Sequence, residues 1–320
     1  LFMIDPKLFI RSLNKYSNFI TGVPDSLLKN LLSEIDGNFR GKHIISTNEG
    51  SSIGLAIGSY LSSRKPSVVY MQNAGLGNAI NPLISLADKN VYSIPMVLII
   101  GWRGEVLSAN KQIKDEPQHI SQGKNLINLI KNLNISYKII SGKTKNIENV
   151  LKTLFLKSLK INKPCALVVR KNTFKKLFSK KAQKEKFVLS REKAIEKVIT
   201  SIPKNSIVVS TTGMISRELN EIRRKFSQKN IDFFVVGGMG HANQIATGIA
   251  ANLPKKKILC LDGDGSLLMH LGSMVISSKY KNMIHILLNN KSHDSVGGQP
   301  TPVDKVNFSN LAKSCGYEIS

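Results

Sequence analysis

The run Leu261-Asp262-Gly263-Asp264-Gly265-Ser266 closes an apolar, β-branched stretch, and Asn290 follows Asp264 by 26 positions at the end of the next such stretch. A strand, helix, strand unit of that length returns a parallel chain to a neighbouring strand end, which sets a carboxylate and an amide oxygen side by side. Hard oxygen donors in such a pair suit Mg2+, which takes one or two protein oxygens and completes its octahedron with phosphate oxygens and water. Gly263 and Gly265 allow close backbone approach, and amides at the helix start near Ser266 can meet phosphate oxygens. The chemistry these residue types point to is a metal-bound diphosphate. Gly-Asp-Gly alone is also an ordinary turn. The second strand end with Asn289-Asn290 is what favours the metal. A dinucleotide fingerprint needs a third glycine, which neither Gly263-Asp264-Gly265 nor Gly75-Leu76-Gly77 supplies.

A second carboxylate of interest is Glu49 in Ile45-Ser-Thr-Asn-Glu49-Gly50, where a strand pattern runs directly into a helix pattern. An acid at a helix start is favoured by the dipole whatever else it does.

Holding such groups requires strand ends in register, and the chain is patterned to provide them. Short β-branched runs alternate with helical spacing from about Phe19 onward, the signature of parallel βαβ units and hence of the α/β class. Strands are predicted at His43 to Thr47, Ser67 to Met71, Pro95 to Gly101, Ser136 to Ile140 and Pro164 to Arg170, with helical spacing in Ser51 to Ser62 and Asn125 to Leu133. Residues 172–190 lack either period, and Lys171 to Lys186 holds seven lysines against the single acid Glu185, which reads as a linker. The expected domains are therefore residues 1–171 and 191–320. The second has strands at Ser206 to Ser210, Asp232 to Val236, Lys257 to Leu261 and Met283 to Leu288, each followed by a polar, glycine-containing loop where open α/β sheets bind ligands.

The formal charge of +25 raises nucleic-acid binding as an alternative of another class. The lysines are scattered and no zinc-finger, RRM or helix-turn-helix signature accompanies them, so a solvated basic surface that steers anionic ligands is favoured, with no nucleic-acid partner. Cys165, Cys260 and Cys315 are far apart and imply neither a disulfide framework nor a zinc site. No apolar stretch is long enough to span a bilayer and no signal-peptide pattern is seen, so a cytoplasmic location without a membrane partner is expected. The chain opens on Leu1 and stops at Ser320 as a strand pattern begins, which leads to the expectation of a fragment short of its carboxyl-terminal elements.

Gly263-Asp264-Gly265 followed by Asn289-Asn290 resembles the signature of thiamine diphosphate enzymes. Further stretches extend the resemblance over most of the chain: Thr21-Gly-Val-Pro-Asp-Ser-Leu-Leu28, Val69-Tyr-Met-Gln-Asn73, Gly75-Leu-Gly-Asn78, Tyr92-Ser-Ile-Pro-Met96, Gly101-Trp-Arg-Gly104, Asp115-Glu-Pro-Gln-His119 and Asn289 through Thr301. Within that superfamily the chain is most similar to phosphonopyruvate decarboxylases, with sulfopyruvate decarboxylases as near relatives. The resemblance implies two doubly wound parallel-sheet domains of the thiamine diphosphate-binding fold, one for the pyrimidine and one for the diphosphate and Mg2+, with no middle domain. It implies Asp264, Asn290 and the Ser292 carbonyl as magnesium ligands, with Gly265 and Ser266 beside the diphosphate. Gly237-Gly238-Met239-Gly240-His241-Ala242 looks like the loop seating the aminopyrimidine: the Gly237 carbonyl receives the 4′-amino group, Met239 wedges between the rings, and Gly240 lies against the cofactor.

By the same resemblance Glu49 hydrogen-bonds N1′ and promotes deprotonation of the thiazolium C2. The implied reaction is conversion of 3-phosphonopyruvate to phosphonoacetaldehyde and CO2 in phosphonate biosynthesis, the alternative substrate being sulfopyruvate or another anionic 2-oxo acid. Asp25, His119 and His293 are candidates for proton handling, with both imidazoles expected to titrate near neutrality and His119 expected on a loop. Ser26, Arg103 and Lys124 are candidates for holding the acid. A homodimer or homotetramer with shared active sites is implied. Two departures from the family pattern stand out: Lys291 where glycine is common, and a long Gly104 to Asp115 segment.

Overall fold

The computed structural model describes residues 3–109, 111–176, 188–227 and 232–318. Contacts divide the chain into two units, Leu1–Lys180 with Val296–Gln299, and Lys181–Ser295 with Pro300–Ser320. Residues 177–187, most of the predicted linker, and the strand pattern at Ser320 lie outside the described residues.

The first unit runs α1 (Pro6–Leu13), β1 (Phe19–Gly22), α2 (Lys29–Leu32), α3 (Ile35–Asn38), β2 (Lys42–Ile45), α4 (Glu49–Ser63), β3 (Ser67–Gln72), α5 (Leu76–Pro82) and β4 (Met96–Gly101). After β5 (Val106–Ser108) and β6 (Lys111–Gln112) come α6 (Pro117–Asn132), β7 (Ser136–Ile140), α7 (Ile147–Ile161) and β8 (Cys165–Val169). Six strands form one parallel sheet in the order β2-β1-β3-β4-β8-β7.

Side chains alternate across a strand, so the continuous apolar runs of β3, β4 and β8 feed two cores. Val68, Tyr70, Val97, Ile99 and Leu167 pack with Phe9 of α1 and Phe155 of α7. Val69, Met71, Leu98, Ile100 and Val168 pack with Ile53 of α4, Leu76 of α5 and Ile130 of α6. Helices on both faces make this a doubly wound sheet, and continuous apolar strands are what burial on both faces requires.

Helix α6 begins eight residues before the predicted Asn125. Pro117 at its first turn presets φ, while the polar residues that follow hide the apolar period. His119 is therefore helical rather than on a loop. The long Gly104 to Asp115 segment is taken up by the antiparallel β5/β6 hairpin. Its Gln112 amide donates to the carbonyls of Gly104 (2.6 Å) and Ile120 (2.7 Å), tying the hairpin to α6.

The second unit runs α8 (Arg191–Ser201), β9 (Ile207–Ser210), α9 (Met214–Lys225), β10 (Phe233–Phe234), α10 (Ala242–Asn252), β11 (Ile258–Gly263), α11 (Asp264–Met269), α12 (Met274–Ser277), β12 (Met283–Leu288) and α13 (Phe308–Ser314). Its parallel sheet has the order β10-β9-β11-β12. Val209, Ile258 and Cys260 face one core with α10, while Val208, Leu259 and Leu261 face the other with α8 and α9.

The cysteines are free, and among the described residues no helix is long and apolar enough to cross a membrane. Strand β10 is shorter than the predicted Asp232 to Val236. It is held at the sheet edge by Asp232, whose side chain is buried and accepts from Arg223 Nε at 2.8 Å and Nη2 at 3.1 Å and from the Val208 amide at 3.3 Å. Removing a buried carboxylate strands its guanidinium away from water. Asp232→Ala is expected to lower the stability of this unit by about 3–5 kcal/mol in urea unfolding; a loss under about 1 kcal/mol would mean the pair does not anchor β10.

Candidate active site

The carboxyl ends of the second unit's strands carry its chemical groups. Asp264 opens α11 directly after β11 and is 2% exposed. The Thr301 hydroxyl donates to its Oδ2, and the backbone amides of Gly265 and Asn290 also hydrogen-bond it. Burial pushes this carboxyl above the usual range, and those donors act against the shift. Among the described residues no basic side chain hydrogen-bonds or ion-pairs with it, so the negative charge at this strand end is uncompensated.

Asn290 lies beside it through that backbone bond. Its Oδ1 accepts from the Ser292 amide (3.2 Å) and its Nδ2 donates to Asp294 (3.0 Å), which fixes the turn. Lys291 within this turn has φ +55°, the left-handed region that favours glycine. The departure noted in the sequence therefore falls on a backbone position that glycine would occupy without strain.

Ser266 joins neighbouring strand ends. Its Oγ lies 2.8 Å from Thr211 Oγ1 beyond β9 and accepts from the Gly240 amide at 3.2 Å. Gly240 has φ +91°, and a Cβ there would come within 2.8 Å of the Met269 side chain, so the 237–241 loop can dock on α11 only with glycine at this position. Gly237 and Met239 are half-buried in this loop. The His293 ring packs against Gly265, and its Nε2 is buried without a hydrogen-bond partner. Burial lowers its pKa to about 4, so it is neutral at pH 7, contrary to the expectation of titration near neutrality.

In the first unit, Glu49 is the first residue of α4, behind Asn48, whose side chain caps the helix by accepting from the Ser51 amide (2.8 Å). Glu49 is 5% exposed, accepts from Asn78 Nδ2 at 2.9 Å, and burial raises its carboxyl above the usual range. A Cβ on Gly75 would sit 2.3 Å from its Oε1, so the glycine makes the room the carboxylate occupies.

Asp25, after β1, is fully buried and accepts from Gln72 Nε2 (2.9 Å) and the Leu27 amide (3.2 Å). Burial raises it as well, against Gln72 and Arg103. After β4, Arg103 donates to Asp115 through Nε (2.8 Å) and Nη2 (2.5 Å) and to the Ser26 hydroxyl through Nη1 (2.9 Å). Its backbone is clamped by the Asn73 side chain, which donates to the Arg103 carbonyl (3.0 Å) and accepts from its amide (3.2 Å). The Arg103 hydrogen bond holds Asp115 far below the usual carboxylate range. His119, half-buried in the first turn of α6, has a partnerless buried Nδ1. Burial and then Arg103 depress its pKa.

Thus Asp25, Ser26, Arg103 and, through Arg103, His119 form one group at the carboxyl edge, with Glu49 on a neighbouring strand end. Lys124 is exposed on α6 and makes no hydrogen bond or ion pair among the described residues. Gln72, Asn73, Asn78, Asp115 and Thr301 carry contacts that residue types alone did not assign. All five lie inside the motifs quoted above, which was the available signal.

Mg2+ and thiamine diphosphate are tested against these groups by the donor set. A buried carboxylate without a cationic partner, an adjacent Asn-Lys-Ser turn with its carbonyls, and a glycine-shaped loop docked on Ser266 suit a divalent ion bridging to a diphosphate. The residues fit.

The family description "Thiamine pyrophosphate enzyme, N-terminal TPP binding domain" matches residues 7–123, and "Thiamine pyrophosphate enzyme, C-terminal TPP binding domain" matches residues 211–319. Phosphonopyruvate decarboxylase of Streptomyces viridochromogenes is 29% identical over 315 residues, covering 93% of this chain and 76% of that protein. Sulfopyruvate decarboxylase of Methanosarcina acetivorans is 28% identical over 320 residues, covering 92% and 78%. Sulfopyruvate decarboxylase subunit beta of Methanothermobacter thermautotrophicus is 34% identical over 134 residues, 41% of this chain and 69% of that one. With one domain of each kind matched in turn to the two parallel-sheet units, this chain belongs to the thiamine pyrophosphate enzymes.

Proposed function

We propose that the protein is a carboxy-lyase that converts 3-phosphonopyruvate to phosphonoacetaldehyde and CO2 in phosphonate biosynthesis, in the cytoplasm, using thiamine pyrophosphate and Mg2+. The observation that carries this reading is similarity to a phosphonopyruvate decarboxylase along 93% of the chain. The boundaries proposed are residues 1–171 for the pyrimidine, 172–190 as linker and 191–320 for the diphosphate. Asp264, Asn290 and the Ser292 carbonyl hold Mg2+; Gly265 and Ser266 line the diphosphate; Gly237, Met239 and Gly240 seat the pyrimidine.

When bound, thiamine pyrophosphate supplies the electron sink that a 2-oxo acid needs to lose CO2. The chain's own residues orient the acid and manage protons. Glu49, whose carboxyl is raised above the usual range by burial, would exchange a proton with a ring nitrogen of the bound group. Asp25, raised in the same way, is the candidate for handling the proton at the product carbon. His119 and His293 serve as neutral imidazoles that accept or donate hydrogen bonds. Arg103 and Ser26 hold the distal acid group. Lys124 is at most a contributor to the field that steers an anion inward. Relatives named as separate alpha and beta subunits support an oligomer, here a homodimer or homotetramer with shared sites.

Glu49→Gln is expected to reduce turnover roughly 10²–10⁴-fold, the scale of a lost proton-handling group, while raising stability at pH 8. The sign follows from the raised folded pKa: the wild-type carboxyl stabilises the fold below its unfolded pKa, and that contribution is lost as pH rises through the folded value. Undiminished turnover would remove Glu49 from the chemistry. The reading as a whole is tested by aldehyde formation from 3-phosphonopyruvate and 3-sulfopyruvate, on material whose mass is read by light scattering. Faster turnover of the phosphonate by a dimer or tetramer is expected; preference for the sulfonate, or turnover by a strict monomer, contradicts it.

A further inference from the structure

The geometry points to a receptor for a tetrahedral trioxo anion in which Asp115 positions Arg103 and Ser26 completes the donor set. The inference rests on the proposed decarboxylase reading for the identity of the substrate, and it deepens that reading by naming how the distal group is chosen. A guanidinium carries five N–H donors in a fixed plane. Three are occupied here: Nε and one Nη2 hydrogen by Asp115, and one Nη1 hydrogen by Ser26. The remaining Nη1 and Nη2 hydrogens are left for a ligand, and the Arg103 side chain is 21% exposed, so a ligand can reach it.

The Ser26 hydroxyl accepts from Arg103 and donates to no described residue, so its own hydrogen is also available. Three donors on two adjacent groups are therefore unoccupied among the described residues, as many as a phosphonate or sulfonate has oxygens. A carboxylate can also accept several hydrogen bonds, but its acceptor positions lie in one plane, so it meets donors from two separate groups with poorer geometry than the three oxygens of a tetrahedral acid.

Asp115 makes this arrangement definite. Its carboxylate takes the Nε and Nη2 side of the fork, and the Gly104 and Glu116 amides hold it in turn at 3.2 and 2.9 Å. Arg103 cannot rotate to offer the ligand that side instead. Asp115 also offsets the charge of Arg103, so selection depends on the number and direction of donors more than on net charge.

Trp102 is the chain's only tryptophan, buried beside Arg103 with Nε1 donating to the Gly123 carbonyl at 2.9 Å, and its fluorescence reports occupancy. The protein, saturated with thiamine pyrophosphate and Mg2+, is titrated with 3-phosphonopropionate, 3-sulfopropionate and succinate, none of which has a keto group to react. The two tetrahedral acids are expected to bind at least about tenfold more tightly than succinate, the worth of one hydrogen bond to a charged group. Asp115→Asn is expected to bring that ratio below about threefold while leaving the thermal shift induced by thiamine pyrophosphate unchanged. Ser26→Ala should reduce the ratio and Ser26→Thr should retain it.

Equal binding of succinate by the wild type, or an unaltered ratio in Asp115→Asn, overturns the receptor. If Asp115→Asn does not fold, an unaltered ratio in Ser26→Ala overturns it instead. The tighter of the phosphonate and sulfonate assigns the substrate. Because the probes cannot be decarboxylated, selective binding without turnover of either keto acid would sink the proposed activity and leave the receptor standing. Turnover without selectivity would sink only the receptor.

Discussion

Charge held away from water is the constraint on which both units are organised. Asp25, Glu49 and Asp264 are 0%, 5% and 2% exposed, and all three carboxyls are pushed upward chiefly by burial. An ionised carboxylate in such a place loses several kcal/mol of hydration. The fold answers with neutral donors brought in from other segments of the same unit: Gln72 at the end of β3 for Asp25, Asn78 in α5 for Glu49 and Thr301 after β12 for Asp264. A parallel sheet delivers these donors because its strand ends lie side by side on one edge. Gly101, where a Cβ would come 2.0 Å from Asp25 Oδ2, and Gly75 beside Glu49 leave the space.

The same solution has different consequences in the two units. Neutral donors hold a carboxyl without forcing it to ionise, which suits Asp25 and Glu49 as proton carriers. Asp264 sits at a strand end next to the Asn290 turn, where a divalent cation can supply what the hydroxyl and amides do not. Arg103 is the contrasting case. Its charge is matched by Asp115, which itself is held far below the usual range, so the pair remains ionised and fixes a direction rather than a proton.

Much of this was legible in the sequence, for definite reasons. Strands buried on both faces leave continuous apolar runs, so β3, β4 and β8 fall within a residue of where they were predicted. Asp264 and Glu49 were visible because each lies where a strand pattern meets a helix pattern. By contrast β1 is four residues ending in glycine, and β5 and β6 together have little apolar content, so neither left a periodic trace. Gln72 ends β3, Asn78 lies in the first turn of α5 and Thr301 is in the loop after β12. Their importance arises only when the sheet brings a carboxylate within 3 Å, and no local pattern records that. Burial holds His293 neutral, which residue type alone does not reveal. His285 in β12 is a satisfied residue, between Asp262 (3.3 Å) and the Tyr317 hydroxyl (3.2 Å).

In the proposed site the buried carboxylate of Asp264 needs a cation before a diphosphate can be held beside it. Calorimetric titration of thiamine pyrophosphate into the protein, with Mg2+ and then with a chelator in its place, addresses that most directly. Binding that is saturable with Mg2+ and lost with the chelator is the predicted result. Equal affinity in both conditions, or no binding with Mg2+ present, would contradict the role given to Asp264 and the strand ends around it.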